Sequence, residues 1–352
     1  MEYNIDILVA GCNTNCRHCY VNGGPNKRMT TEDFEICIDL LLPVFLHFGE
    51  RVSFTLDNEP YNHPDFPRII DYVRQYCWNS YFHHGSTTGI AFNHRVDKDA
   101  IWEKQKAYGI DFASVTLHGG EKNHNFITRN TKAFSEAIDY IRFVKAHHGK
   151  LCISLMLSKL LIQDCDEISE ILHKIQPDEV YLAIPNSAPS KRMQAYQKYR
   201  PTYEECLQLS GYLSAWGLDE AALMKQFEAG SSKNLLATLK TQKAFKIAQP
   251  EQCYLTIHPD LNLYIGNSGV ETEFIGNLHA ATSGIIIDAM ENAPANYNFF
   301  PVCFAEVPKF EDVIEFAHSD DNLVYPDMDS FITYYAMHKS STRIHKKRTP
   351  QK

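Results

Sequence analysis

The 352-residue sequence contains no apolar run approaching the length that crosses a membrane, and its opening residues, Met1 to Asp6, are acidic rather than basic and apolar. Neither a membrane span nor a secretory signal is therefore expected. It has no second Cys-x2-Cys pair to match the one it carries, no low-complexity segment, and no repeat shorter than a βα unit. Basic residues are in deficit, 34 Lys and Arg against 43 Asp and Glu. The resulting net charge of −9 is spread along the chain and gives no reason to expect a nucleic-acid partner. Ten cysteines are too sparse for a disulfide scaffold of this length, which points to a reduced, cytoplasmic setting. What remains is a globular composition, 44% hydrophobic and 22% charged, with room for one large domain and an appendage.

Three of the ten cysteines, Cys12, Cys16 and Cys19, fall within eight residues, directly after an apolar strand-like run. Three thiolates from one tight loop can ligate three irons of a cubic [4Fe-4S] cluster and leave the fourth open to a substrate or cosubstrate. Two other readings compete. The same cysteines, with His18 or a distant histidine, could form a zinc-binding structural module, or they could be buried and act as small apolar groups. The polar, glycine-flanked setting at a strand end disfavours the last.

Hydrophobic periodicity predicts six strand–helix units in about the first 185 residues. The strands are Tyr3 to Val9, Arg51 to Leu56, Tyr81 to Thr87, Phe112 to Leu117, Leu151 to Leu157 and Glu179 to Ile184. Thr30 and Asp33 form a capping-box pattern ahead of the first helix. Such repeats imply parallel strands with right-handed crossovers, in a doubly wound sheet or an incomplete barrel. A helical connector is expected over 186–250. A hairpin of Cys253 to Ile257 and Asn262 to Ile265 follows, and a basic, disordered tail covers 340–352.

The Cys-x3-Cys-x2-Cys array resembles the signature of the radical S-adenosylmethionine (SAM) superfamily, with His18 where an aromatic residue usually precedes the third cysteine. Leu56-Asp57-Asn58-Glu59-Pro60 is similar to that family's Gly-Gly-Glu-Pro edge, which holds the amino group of the methionine moiety; here Asp57 and Asn58 replace both glycines. Ser86-Thr87-Thr88-Gly89 resembles its Thr-Thr-Asn-Gly turn, and Ser114 to Gly119 its fourth strand, with His118 where Asp is common. Ser114 and Thr116 share one strand face and could bond the nucleoside ribose, as could Ser154. The resemblance decides between the two sheet forms. It implies an α/β fold, a partial (β/α)6 TIM-like barrel over 1–185, with [4Fe-4S] cluster and SAM as cofactors and a flavodoxin or ferredoxin as reductant. A basic patch near Arg17, Lys27 and Arg28 would suit an acidic reductant.

Residues 251–339 resemble the C-terminal SPASM or twitch domain, a smaller α+β unit, but Gly266 or Asn267 stands where its next cysteine is expected. A degenerate domain without its auxiliary cluster is therefore predicted, and Cys253 and Cys303 become packing residues or hydrogen-atom donors. The function implied is reductive cleavage of SAM to a 5′-deoxyadenosyl radical that abstracts hydrogen from a natural-product intermediate or a peptide. An epimerase using Cys253 or Cys303 is the alternative. Because the sequence opens on the first barrel strand, a peptide would need a separate recognition protein, which favours a small-molecule substrate.

Overall fold

The first strand is apolar on both faces: Ile5, Ile7, Leu8, Val9 and Ala10 are all buried. Strands of that kind belong in the middle of a parallel sheet covered by helices. In the computed structural model, which describes residues 1–19, 27–76, 82–84, 87–188, 190–242, 252–269, 271, 273–293, 309–317 and 322–336, this strand does lie mid-sheet. The nine strands among the described residues are β1 (Glu2–Ala10), β2 (Val52–Asn58), β3 (Phe82–His84), β4 (Phe112–Leu117), β5 (Lys150–Met156), β6 (Glu179–Ala183), β7 (Gln252–Ile257), β8 (Asn262–Ile265) and β9 (Glu273–Asn277).

One sheet runs in the order β3-β2-β1-β7-β8-β9 and a second in the order β4-β5-β6. A parallel bridge from Thr87 to Val115 joins them, supported by the Thr87 amide donating to the Ser114 carbonyl at 3.0 Å. The six barrel strands thus follow one another side by side in chain order, all parallel. This is the partial barrel the sequence implies. The expected hairpin is present as β7 and β8, at a place in the sheet to which no sequence pattern pointed. β7 pairs in parallel with β1, and β8 and β9 extend the same sheet in antiparallel fashion. Cys253, Leu255, Ile257, Leu263 and Ile265 share one hydrophobic core with the barrel strands. No helix among the described residues is long and apolar enough to cross a membrane.

Local signals explain the helices that position the strands. The Thr30 side chain accepts from the Asp33 amide at 3.0 Å and starts helix Thr31–Phe48, whose Phe34, Cys37, Ile38, Leu41, Phe45 and Phe48 are buried at helical spacing. The helical connector expected over 186–250 includes the short pieces Tyr203–Cys206 and Tyr212–Ala215, followed by Glu220–Ala229 and Ser232–Gln242. Arg200, fully buried, donates to the carbonyls of Pro185 and Val324 and fastens this connector to the end of β6. The tail 340–352 lies outside the described residues.

Gly89 is closed to a side chain on two counts. It has φ +75°, and a Cβ there would lie 2.7 Å from Tyr140 Cβ and 2.9 Å from the Glu136 carbonyl oxygen. Gly89→Ala combines a left-handed backbone with overpacking and is expected to cost roughly 2–3 kcal/mol, read as a lowered urea midpoint at unchanged slope.

Candidate active site

Parallel strands place their functional side chains at their C-terminal ends, and β1 runs directly into the cysteine loop. Gly11 donates to the Lys27 carbonyl and Met29 to the Val9 carbonyl, closing the loop on itself. Its far side is fastened to helix Glu121–Thr128: the Arg17 amide donates to Ile127 O at 2.8 Å, the Arg17 Nε to Phe126 O at 2.9 Å, and the guanidinium sits 4.0 Å above the Phe126 ring. Arg17 is thus a loop anchor, and only Lys27 and Arg28 of the expected basic patch are exposed. Asn62 Nδ2 donates to Gly11 O at 2.6 Å, and His63 Nε2 pairs with Met29 O at 2.9 Å. Arg95 in turn donates to the carbonyls of Tyr61, His63 and Pro64. The Asn-His-Pro stretch after β2 is therefore the buttress of the cysteine loop, a role that spacing alone does not reveal.

A cavity of about 310 Å³ opens at these strand ends. It gathers Cys12, Cys16, Cys19, Asp57, Asn58, Thr87, Thr88, Thr116 and Ser154, all predicted from sequence, and adds Thr14, His18, His118, His124, Thr128 and Met156. His18 and His118 had stood out as departures from family motifs, His18 also as a possible zinc ligand, whereas Thr14 and Met156 had given no signal. Ser114 and Glu59 do not line the cavity; both are buried behind it. Asn58 adopts φ +68° beside a register shift between β1 and β2. Asn tolerates that backbone better than most residues, so it can stand where a glycine is expected. Ser86 and Cys303 lie outside the described residues.

Glu59 is fully buried and accepts three hydrogen bonds: from Thr87 Oγ1 at 2.7 Å, from the Thr88 amide at 2.9 Å and from Thr88 Oγ1 at 2.8 Å. Burial pushes its carboxyl up and these donors oppose that. Asp57 differs. It is pushed up by burial, with only the Asn58 backbone acting the other way, and makes no ion pair among the described residues. The three histidines are held neutral. Burial lowers His18 and His124 to about 4, and His118 falls further beside both. The Nδ1 atoms of His18 and His118 are buried without a partner. His124 Nδ1 accepts from the His118 amide at 3.4 Å, which leaves its proton on Nε2.

The thiols of Cys12 and Cys16 are suppressed as well. Burial, then Glu59 and the neighbouring cysteines, push Cys12 up, and burial raises Cys16 to about 11. Only added positive charge would turn such a group into thiolates. A single zinc would need its sulfurs roughly 3.8 Å apart, given Zn–S distances of about 2.3 Å in a tetrahedron. Among the described residues, the one group of potential ligands within 4.8 Å of one another is Cys16, His18 and His118, not the three cysteines. The cysteines are spread around a cavity rather than closed on a point. The three cysteines therefore do not by themselves meet the spacing of a single zinc ion.

Cys253 is also not where a hydrogen donor must be. It is 3% exposed and pairs with Tyr3 at the start of β1. The rise from Tyr3 to Ala10, at about 3.3 Å per residue, separates it from the cysteine loop by roughly 23 Å. It is a packing residue of the core, and the epimerase expectation loses this donor.

Residues 7–173 match the family model described as the Radical SAM superfamily. Similar solved structures include anSMEcpe with bound AdoMet (12% identity, TM-score 0.59) and anSMEcpe with bound AdoMet and Cp18Cys peptide (13%, 0.59); each alignment covers 98% of this chain and 98% of that one. Streptococcus suis SuiB bound to precursor peptide SuiA aligns at 10% identity and TM-score 0.54, over 94% of this chain and 76% of that one. No curated protein matches the sequence. Residues 7–173 thus carry a radical SAM domain; the chain is an enzyme, folded as partial TIM barrels of this kind are. Its cofactors are a [4Fe-4S] cluster and SAM. The residues present suit both, since the cavity offers three thiols, Cys12, Cys16 and Cys19, to a cationic cluster and a carboxylate without an ion-pair partner, Asp57, to an ammonium.

Asp57 supplies a test without turnover. Its raised folded-state pKa means that the apo protein loses stability as pH rises from the unfolded carboxylate range through the folded value. Asp57→Asn is expected to flatten that fall in urea titrations at a series of pH values, and to weaken SAM binding about tenfold in calorimetry.

Proposed function

We propose that this enzyme abstracts a hydrogen atom from a peptide substrate, with Cys12, Cys16 and Cys19 as the cluster ligands. The observation that carries the reading is the single cavity in which those thiols meet Asp57 and the hydroxyls of Thr87, Thr88, Thr116 and Ser154. When bound, the cluster and SAM supply a 5′-deoxyadenosyl radical through reductive cleavage of the SAM carbon–sulfur bond. The protein's part is positioning. Asp57 pairs with the methionine amino group, and Thr116 and Ser154, on adjacent strand ends, bond the ribose hydroxyls. Thr88, fixed by Glu59, shapes the wall between them. Ser114 and Glu59 support these residues from behind. The exposed Lys27 and Arg28, beside the loop, are where an acidic flavodoxin or ferredoxin would approach.

A peptide is favoured over a free small molecule because anSMEcpe and SuiB, which share the fold, are seen with a Cp18Cys peptide and with precursor peptide SuiA. The decisive experiment is anaerobic reconstitution followed by dithionite and SAM. About four irons per chain and release of 5′-deoxyadenosine are expected. Cys12→Ala, Cys16→Ala and Cys19→Ala should each lose the visible cluster absorption and all 5′-deoxyadenosine. Methylated products in place of 5′-deoxyadenosine, or a wild-type protein that takes up no iron, would sink the proposal.

A further inference from the structure

A second cavity, about 510 Å³, adjoins the first, and the two share His18 and Met156 in their walls. Every residue from 181 to 186 lines it. Three of these, Tyr181, Leu182 and Ala183, are the last residues of β6, and 184–186 follow it; successive side chains of a strand point to opposite faces, so a cavity touched by three in a row lies along the strand's edge. The edge in question is free: among the described residues β6 pairs with β5 alone. The opposite wall is the start of helix Glu220–Ala229, through Ala222, Leu223 and Gln226. The space is thus a groove between an unpaired strand edge and a helix, opening at one end onto the cofactor cavity.

Its chemistry is selective. Leu182, Ile184, Met193, Leu218, Leu223 and Met156 make it apolar, no Lys or Arg lines it, and its one carboxylate, Asp219, already accepts from the Ala222 amide at 3.0 Å. Phosphorylated or carboxylate-bearing groups would meet no countercharge there and would lose their hydration. The row of backbone donors and acceptors on β6 suits instead a partner that brings its own.

We propose that this groove docks an extended stretch of the peptide substrate, which adds as a strand to the free edge of β6 and lays an uncharged, apolar side chain beside His18. This deepens the radical SAM reading above and rests on it for the direction of transfer. The groove's volume falls in the usual range for small-ligand sites, enough for a side chain and its flanking backbone.

The probe is an acetylated, amidated Ala-Val-Leu-Val-Ala peptide titrated calorimetrically into the reconstituted, SAM-loaded full chain. Three changes should each weaken binding about tenfold or more: N-methylation of both valines, which removes main-chain donors, Asp in place of the central Leu, and the protein substitution Ala222→Trp. Ala222 is exposed on the groove side, so the tryptophan fills the space without entering the core. No binding of the parent peptide, or binding indifferent to N-methylation or to Ala222→Trp, overturns the proposal. 5′-Deoxyadenosine release by the same preparation without peptide reports on the radical reading separately. Its absence alongside normal peptide binding removes that reading and leaves the groove standing, whereas its presence without peptide binding does the reverse.

Discussion

The three hydrogen bonds that Glu59 accepts from Thr87 and Thr88 are the constraint on which the upper face of the barrel depends. β3 has only three residues in regular pairing with β2, and a single bridge at Thr87 carries the wall onward to β4. Without Glu59 the end of β2 and the Thr87–Thr88 turn would be linked through little more than the short β2–β3 pairing. A carboxylate buried this completely is costly unless its lone pairs are occupied. Here donors occupy three of its roughly four acceptor sites, so the cost becomes a geometric requirement. Thr87 must present its hydroxyl to Glu59 while receiving the Gly89 amide on the same oxygen at 3.0 Å. Gly89 can make that turn only because it carries no Cβ.

The same logic separates what could be read in the sequence from what could not. The six barrel strands were legible because strands buried on both faces are runs of apolar residues bounded by turns, and Phe112–Leu117 is predicted to the residue. The cysteine loop was legible because its chemistry depends on local spacing. Pairing across long separations was not. Nothing in residues 252–277 says that β7 lies beside β1, and so Cys253, a plausible thiol in sequence, proves to be at the wrong end of the strand. The weak β9, exposed over its first two residues, gave no periodic signal at all.

Within the site, motifs located the neighbourhood and only geometry separated the roles. Asp57 and Glu59 stand two apart on one strand end and look interchangeable in sequence. One faces the cavity without an ion-pair partner among the described residues, and the other is consumed by threonines behind it. Arg17 had the look of a surface charge and turns out to tie the loop to Phe126. His18 and His118 departed from motif positions singly, and His124 follows six residues after His118. Only the fold packs their rings together, with centroids 4.5 Å apart for His18 and His118 and 5.3 Å for His118 and His124.

That packing has an energetic consequence. Before cofactors bind, the cavity holds three thiols, an unpaired carboxylate and buried imidazole nitrogens without partners. Each group disfavours the folded apo state by its lost hydration. A ligand that binds only the folded chain and satisfies these groups stabilises it in proportion to its affinity. The site is therefore arranged as a deficit that cationic metal and an ammonium-bearing cosubstrate both relieve. The neighbouring groove has the opposite character, apolar with one carboxylate already engaged. Polarity falls off across His18 and Met156, from the half of the site that binds charged cofactors to the half that would exclude charge from the carbon to be attacked.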